Sequence, residues 1–463
     1  MKIVNVDFGA EKLGISVPDE ATIATFINPD PHPKPNDAVQ KAIDFPYGAP
    51  ALKSLLRPGL KVAIAHDDPT KPSAPFQCVL NVIIDNLLEG GVRKKDIKFI
   101  SANGNHKKWT DDELLNFLGR RIFDTFHPLG NITNHDCVKK EGLLYLGKTP
   151  GGAIIDHNQN FLDADLLIYA GQVVAHSWGG YTGTGAAIGL ASTQSIASHH
   201  NYRVVNHPDS TIGDQKQMYF RKLKAEINFG IEKSIGKRIF YVNWVGGIGG
   251  KIVDVFAGYS PELEEPSWQL ADKFSIIDVP QADILVLGLP QSYAYGSANN
   301  PLIAAIGMAY PPRVWLKNHL LKKGGCIIGL NPSTGVFDED TYPSTSEVIK
   351  LRSTVSSIQE MSAFQKEVSE NEHYLERYSN HNAYHPIHPF WLLNSCDYMM
   401  TRASEVFLVG TTNEKIFRSI GITPTKDFDT ALKQAQTRLS ADPKIVVVPS
   451  YWSQRPFKFR VKI

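Results

Sequence analysis

The chain has 463 residues, enough for two or three domains, and its hydrophobic content of 42% is ordinary for a globular protein with sizeable cores. The 48 basic and 47 acidic residues nearly balance, which excludes the strongly basic surface that binds nucleic acid or an anionic membrane. We therefore expect a small-molecule ligand and neither a nucleic-acid nor a membrane partner, while nothing in the sequence indicates the oligomeric state.

The cysteines and the N-terminus indicate the cellular compartment. No two cysteines form a CxxC pair, which argues against a disulfide framework and a cysteine-rich zinc site; they are Cys78, Cys137, Cys326 and Cys396. The stretch MKIVNVDFGAEKLGISV lacks the charged and apolar regions of a signal peptide, and no window approaches the length of an apolar membrane span. We expect a cytoplasmic protein in a reducing compartment.

Strands and helices alternate along the first half of the chain. From residue 61, KVAIAHDD has the pattern of a buried strand, and PFQCVLNVIIDNLLEGG after it has helical periodicity. DIKFISANGNH predicts a second strand, Thr110 and Glu113 form a capping box that opens the helix DDELLNFLG, and ADLLIYAGQVV predicts a further strand. This alternation predicts a parallel sheet that is covered by helices on both faces.

A second series follows the acidic segment SPELEEPSWQL near residue 265. Strands are predicted at ADILVLGLP, GGCIIGLNP, ASEVFLVG and KIVVVPS, and helices at PLIAAIGMAY, SSIQEMSAFQKEVSENEHYLERYS and TTNEKIFRSIG. The predicted fold class is α/β, with two Rossmann-like α/β domains and an active-site cleft between them. We expect the domains at 1–268 and 269–439, with the tail 440–463 packing on the first domain.

Polar residues collect in three loops that follow predicted strands. In AHDDPTKPSAP, Thr70 and Lys71 stand where the amides of a helix N-terminus can hold an anion, although a solvated turn explains the same residues. In SANGNHKKWT, residues 101–110, His106 precedes a capped helix whose positive end favours a neutral imidazole.

The third loop is VVAHSWGGYTGTGAAIGLASTQSIASHHN, residues 173–201. His176 ends a strand, the glycines allow the backbone to approach a ligand, and residues 186–200 are predicted to form a helix that brings His199 or His200 back to the site. The glycines match neither GxGxxG nor a P-loop, and no lysine lies between Lys148 and Lys216, which argues against a plain phosphate site.

Parallel strands would bring these loops together, so that His106, His176 and His200 meet. Three imidazoles suit zinc or nickel with an open position for substrate, and equally a pair of acid/base residues on opposite sides of a carbon atom. Three separate capping or core histidines are the structural alternative. In NAYHPIHPFWLLN, His385 and His388 could line the cleft from the second domain, but we favour satisfied side chains of a rigid loop.

The three loops resemble the lactate racemase family, whose members carry a nickel-pincer nucleotide. DPTKP at 68–72 is similar to the family's D-x-T-R-P, and GNH at 104–106 to the segment with its first catalytic histidine. HSWGGYTG at 176–183 is similar to its H-x-x-A-G-[FY]-S-G, and HHN at 199–201 to the segment with its metal-binding histidine. The resemblance implies an isomerase that racemises or epimerises an α-hydroxy acid by inverting its carbinol carbon.

The resemblance also implies roles for individual residues. The predicted catalytic residues are His106, His176 and Lys71. The predicted substrate contacts are Asp68, Thr70, Lys71, Gln291 and Asn300. The predicted cofactor contacts are Gly180, Tyr181, Thr182 and Gly183. The predicted metal ligands are His200, His176 and His106.

Three positions depart from the family pattern. Ala186 stands where the family has the lysine that tethers the cofactor, and Lys71 replaces an arginine and so lacks its bidentate fork for a carboxylate. In the second domain, Asn300 lies near the position of an expected lysine. We therefore favour one bare divalent metal, zinc or nickel, on the three histidines, with a non-covalently bound nickel-pincer nucleotide as the alternative.

The two possible roles of the histidines exclude one another, because a histidine that binds a metal cannot be a base at the same moment. Two other functions fit the same residues. One is metal-dependent dehydration or elimination on a hydroxy acid, and the other is a non-catalytic ligand sensor derived from the racemase fold.

Overall fold

The first half of the chain is built around a six-stranded sheet. The computed structural model describes residues 1–71, 73–439 and 442–463, so Pro72 of the DPTKP motif and the first two residues of the predicted tail lie outside the described residues. The strands of the sheet are, in spatial order, Ile252–Gly258, Ile239–Gly246, Leu166–Val173, Val62–Asp67, Ile97–Ala102 and Ile132–Asn134. All neighbours are parallel except the edge pair Ile252–Gly258 and Ile239–Gly246, which confirms the predicted α/β class.

Helices cover both faces of this first sheet. Val62 and Ile64 point to one core, whereas Ala63 and Ala65 of the same strand point to the other, as the period of two in a strand requires. The first core also contains the helices Pro35–Asp44, Ser73–Glu89, Asp111–Leu118 and Arg120–Phe126. The second core contains the helices Gln159–Leu162, Ala186–Gly189, Tyr219–Ile235 and Glu264–Ser275.

The order of the strands opens a crevice at the centre of the first sheet. From the strand Val62–Asp67 the chain proceeds to Ile97–Ala102 and Ile132–Asn134 on one side, and then crosses to Leu166–Val173 on the other. Loops that leave neighbouring strands in opposite directions separate at such a point, and ligands bind there in open α/β sheets. The three predicted loops leave the three central strands.

A second sheet occupies the other half of the molecule. Its central strand Ala282–Pro290 pairs on one side with the series Leu321–Leu330, Glu405–Val409 and Thr423–Thr425. On the other side it pairs with Ile445–Val448, which pairs with Thr22–Ile23, and with Lys2–Gly9, which forms an antiparallel hairpin with Glu11–Val17. The helices that pack on this sheet include Pro301–Ala309, His388–Arg402 and Phe428–Arg438.

The strand pairing corrects the predicted division of the chain. The first 23 residues were assigned to the N-terminal domain, but their strands pair with the second sheet, where Val6 and Ile15 share a core with Val286. In the tail, Lys458–Lys462 pairs with Ile276–Pro280 and Trp315–Leu316 in a separate three-stranded sheet. The predicted boundaries therefore miss contacts between segments that are distant in sequence.

Three segments differ from the predicted elements. The helix Glu264–Ser275 begins within the acidic segment SPELEEPSWQL and buries Trp268. The predicted helix 186–200 is divided into Ala186–Gly189 and Thr193–His199, since the Ser192 side chain accepts a hydrogen bond from the Ser195 amide and starts a new helix. The long amphipathic segment is likewise divided into Gln359–Ala363, Gln365–Ser369 and Glu372–Asn380.

Shorter elements complete the described chain. The remaining α-helices are Tyr202–Val205, Thr345–Arg352 and Glu414–Ser419. The remaining strands form small hairpins, Leu143–Lys148 with Ile154–Asn158, Ala175–His176 with Gly180–Tyr181, and Ser292–Tyr293 with Gly296–Ser297. Within the described residues, no helix is both long and apolar enough to cross a membrane.

Candidate active site

The three predicted loops line one cavity at the carboxyl ends of the central strands. The cavity has a volume of about 200 Å³, and His106, His176 and His200 all line it. It adjoins a wider cleft of about 660 Å³, and the two spaces share Lys71 and Tyr295 as well as His106 and His176. Because Tyr295 follows a strand of the second sheet and Lys71 a strand of the first, the cleft lies between the two sheets.

His106 forms a buried pair with Asp68. The Asp68 side chain is 8% exposed, and its Oδ2 lies in hydrogen-bond contact with the His106 Nδ1. Burial alone would raise the pKa of the Asp68 carboxyl, but His106, Lys71 and the Thr70 hydroxyl hold it well below its usual range. The carboxylate therefore accepts the Nδ1 proton of His106, and Nε2 is the ring nitrogen that Asp68 does not engage.

His176 has the opposite arrangement of protons. Its Nδ1 accepts a hydrogen bond from the Trp178 amide at 3.1 Å, so the proton of the neutral ring lies on Nε2. Burial, together with the positive charges of Lys71 and Lys224, lowers the pKa of His176 to about 3. His176 is therefore neutral at physiological pH, and its Nε2 is a donor in this tautomer.

His200 lies deeper and lacks a polar partner at one nitrogen. It is 8% exposed, its Nδ1 has no hydrogen-bond partner among the described residues, and its ring packs 4.3 Å from Trp178 and 5.1 Å from Trp391, measured between ring centroids. Burial lowers the pKa of His200 well below its usual value, and the neighbouring His199 adds to this effect. A buried neutral imidazole with a free nitrogen can accept a metal or a donor group of a ligand.

The histidines share the cavity without forming a metal site of their own. Among the described residues, no group of three or more histidine, cysteine, aspartate or glutamate side chains is arranged to hold a metal ion. His106 is also committed to Asp68, and the Nδ1 of His176 to the Trp178 amide. The three histidines are thus not arranged around one metal position among the described residues, and the Nδ1 of His200 remains available to a ligand.

The predicted anion-binding loop and glycine loop also reach the site. Lys71 lines both spaces, and Thr70 lines the wider cleft and donates its amide to the Asp68 Oδ1 at 3.0 Å. Tyr181, Thr182 and Gly183 line the smaller cavity. Gly180 does not, because a side chain there would point at the backbone of Gln215.

Two predicted substrate contacts lie elsewhere. The Asn300 Oδ1 accepts a hydrogen bond from the Leu302 amide and caps the helix Pro301–Ala309, and Asn300 lines a different cavity of about 250 Å³. The Gln291 Nε2 donates to the Ser297 Oγ at 3.4 Å, and neither residue lines the histidine cavity. Helix capping is the commonest use of an asparagine before a proline-led helix, and it explains Asn300 here.

Several cavity residues escaped the sequence analysis. His388 was interpreted as a satisfied loop histidine, but it begins the helix His388–Arg402, lines the cavity, and has an Nδ1 without a partner among the described residues. Its ring centroid lies 5.1 Å from that of His106. Tyr295 and Tyr310 also line the cavity, and so does Lys224, from the helix Tyr219–Ile235. Of these residues, only His388 had a sequence signal, which was the histidine-proline pattern around it.

Comparisons with known proteins relate the chain to lactate racemases. Residues 8–213 match the family model of the lactate racemase N-terminal domain. A lactate racemase from Thermoanaerobacterium thermosaccharolyticum is 22% identical over 456 residues, which cover 97% of this chain and 98% of that protein. The chain is therefore similar to a lactate racemase over nearly its whole length. A second lactate racemase, from Lactiplantibacillus plantarum, is 23% identical over 252 residues, which cover 54% of this chain and 57% of that protein.

Solved structures support the fold of the chain. The lactate racemase apoprotein from Thermoanaerobacterium thermosaccharolyticum superimposes with a TM-score of 0.74 at 22% identity, over the whole of both chains. A protein from Thermotoga maritima superimposes with a TM-score of 0.59 at 17% identity, covering 94% of this chain and 100% of that one. At these identities the structural likeness shows the fold alone.

Ala186, which stands where the sequence comparison led us to expect a lysine, lies in the core beneath the site. Ala186 is fully buried in the second core of the first sheet, and its carbonyl accepts a hydrogen bond from the His157 Nε2 at 2.8 Å. No lysine is close to it in sequence, but Lys224 lines the same cavity from a helix that lies 38 residues further along the chain. Two lysines therefore line the histidine cavity, Lys71 from the first loop and Lys224 from the helix Tyr219–Ile235.

Proposed function

We propose that the chain is a racemase or epimerase that inverts the carbinol carbon of an α-hydroxy acid. The observation that carries the proposal is the pair His106 and His176, which line one cavity in opposite hydrogen-bonding states. The similarity to lactate racemases supports the reaction class. The four free cysteines agree with the reducing cytoplasm in which we expect the reaction to occur.

His106 is the base of the resting site in this proposal. Its Nδ1 proton is held by the Asp68 carboxylate, so Nε2 is free to accept the hydroxyl proton of the substrate. The negative charge of Asp68 stabilises the imidazolium that forms, in the same way that a buried aspartate supports a catalytic histidine in a hydrolase triad.

His176 acts on the opposite face of the substrate. Its Nε2–H can donate to the substrate oxygen in the resting tautomer, and it becomes a base only when its proton moves to Nδ1. That change breaks the hydrogen bond from the Trp178 amide. The two enantiomers of the substrate therefore contact different imidazoles. The position of the ring proton is set by the Asp68 carboxylate in His106 and by the Trp178 amide in His176.

The remaining polar groups would orient the substrate and hold a cofactor. Lys71 lines both the cavity and the cleft and can attract the substrate carboxylate as a point charge. We take His200 as the protein ligand of a metal, nickel or zinc, that arrives within a cofactor, because its Nδ1 has no partner and no three possible metal ligands are grouped together among the described residues. Such a cofactor would supply an acceptor for the hydride of the carbinol carbon.

The test is inversion of a pure enantiomer by the purified protein. We expect chiral chromatography to show conversion of one or more short-chain α-hydroxy acids to their enantiomers or epimers. The variants His106→Asn and His176→Asn should each lower turnover by about 100-fold or more, the usual contribution of a positioned acid or base. His373→Asn, on the exposed face of the helix Glu372–Asn380, is the matched control and should retain full activity.

Metal analysis of the same preparation tests the cofactor. Nickel together with a visible absorption band that is lost in His200→Ala supports a metal-bearing cofactor at His200. One zinc or nickel per chain without such a band supports the bare-metal alternative. Absence of inversion with every α-hydroxy acid, by a protein that holds its metal, overturns the proposed function.

A further inference from the structure

The helix Tyr219–Ile235 places a lysine in the wall of the cavity. Leu223, Ile227 and Ile231 bury one side of the helix in the cores below it, whereas Phe220 and Lys224, one turn apart, both line the cavity. Lys224 is only 5% exposed. Its amine therefore faces the ligand space and is shielded from bulk water.

This amine has no close partner. Among the described residues, none forms a hydrogen bond with Lys224 or an ion pair with it within 4.0 Å. The two nearby carboxylates are occupied, since Glu264 pairs with Arg221 at 2.7 Å and Asp67 accepts hydrogen bonds from the Tyr169 hydroxyl and the Gln172 amide. A buried lysine that stabilises the fold would be paired, so Lys224 is available to a ligand.

The surroundings also favour the uncharged form of the amine. Burial and, to a smaller extent, the positive charge of Arg221 outweigh the opposing charges of Glu264 and Asp67, so that the pKa of Lys224 is lowered to about 7. An unprotonated lysine in an enclosed site beside another cation is the condition in which lysine acts as a nucleophile toward carbonyl carbons.

We propose that Lys224 binds 2-oxo acids covalently as an imine within the cavity. The Nζ lone pair attacks the ketone carbon, a carbinolamine forms, and loss of one water molecule replaces the C=O bond by a C=N bond without oxidation or reduction. Lys71, on the wall of the same cavity, can attract the carboxylate of the bound acid. The choice of 2-oxo acids rests on the proposed function, because they are the oxidised forms of α-hydroxy acids.

The experiment is reductive trapping with pyruvate, the simplest convenient 2-oxo acid. The full-length protein is incubated with pyruvate and borohydride, digested, and the reduced adduct is located by mass spectrometry. At pH 7 about half of a lysine with the pKa of Lys224 is uncharged, against fewer than about one in a thousand of an ordinary lysine. We therefore expect at least about tenfold more label on Lys224 than on any exposed lysine, and an excess of the hydroxy acid should reduce it.

Three variants make the result specific. Lys224→Arg keeps the charge but cannot form the imine, so it should fold and lose the label, and Lys224→Met should lose it as well. Lys222→Met, on the exposed side of the same helix, should retain the label on Lys224. Equal labelling of exposed lysines and Lys224, or unchanged labelling of the protein in Lys224→Arg, overturns the proposal. If the protein inverts α-hydroxy acids but no adduct is trapped on Lys224, only the imine proposal is refuted. If the adduct is trapped but no inversion occurs, only the proposed racemase function is refuted.

Discussion

At the scale of single residues, the partners of the two histidines distinguish their roles. His106 faces a buried carboxylate and His176 faces a backbone amide, so two imidazoles in one cavity carry their protons on different nitrogens. The sequence analysis placed both histidines at the site but left open whether they bind metal or move protons. Asp68, which that analysis assigned to substrate binding, contacts His106 and supports the proton-transfer role.

The variant Asp68→Asn tests this pair. An asparagine carries no negative charge to stabilise the His106 imidazolium and can offer its amide in place of an acceptor, so we expect turnover to fall by about 100-fold or more with a smaller change in KM. The measurement is the initial rate of inversion of each enantiomer. Asp124→Asn, at an exposed position of the helix Arg120–Phe126, should stay within about twofold of the parent protein. A similarly small effect in Asp68→Asn would contradict the assignment.

At the scale of elements, the hairpin of Ala175–His176 with Gly180–Tyr181 holds His176 against the cavity. Gly180 has a φ of +75°, and an added Cβ would lie 2.8 Å from the Cα of Gln215 and 2.9 Å from its backbone nitrogen. Only glycine allows both the left-handed backbone and this close approach. The glycine-rich composition that first suggested a phosphate site therefore serves, at this position, the packing of the hairpin.

The variant Gly180→Ala should destabilise the protein more than an alanine at an unobstructed glycine. Gly236 also has a positive φ, of +64°, but an added Cβ there meets nothing within 4 Å, so Gly236→Ala should lower the free energy of unfolding by only about 1 kcal/mol. In Gly180→Ala the clash should lower the free energy of unfolding by roughly 1 to 3 kcal/mol more than in Gly236→Ala. It should also reduce the rate of inversion, because it displaces His176. Chemical unfolding of the two variants measures this difference. Equal losses in the free energy of unfolding would show that Gln215 moves away from the added methyl group without strain.

At the scale of the whole molecule, an unusual number of histidines are buried as neutral side chains. Burial lowers the pKa to about 4 at His66, His135 and His199, and to about 3 at His157 and His385. Each of these five pKa values is below the ordinary 6.5, so the unfolded chain binds protons at these positions before the folded chain does.

We therefore expect the free energy of unfolding to decrease as the pH falls from about 6.5 to about 4, by up to roughly 1.4 kcal/mol per pH unit for each buried histidine. Urea unfolding at several pH values measures the slope. His157→Gln should reduce the slope by about one proton, because one fewer group takes up a proton on unfolding. A free energy of unfolding that is constant between about pH 7 and pH 5 would contradict the prediction.

The sequence by itself determined the local features and the resemblance to lactate racemases. The strand Val62–Asp67, the capping box of Thr110 and Glu113, and the motifs around His106 and His176 could be identified because each depends on residues within a few positions of one another. The parallel arrangement followed from the alternation of strands and helices, and with it the expectation that the loops would converge.

Only the tertiary structure decided which distant residues complete the site and the sheets. Lys224 and His388 reach the cavity from helices far from the three loops, Asn300 proved to be a helix cap, and the N-terminal hairpin joined the second sheet. The physical reason is the same in each case. Side-chain pairing and burial depend on which elements pack together, and a charged or polar residue on a helix has the same local pattern whether it faces solvent or a ligand cavity.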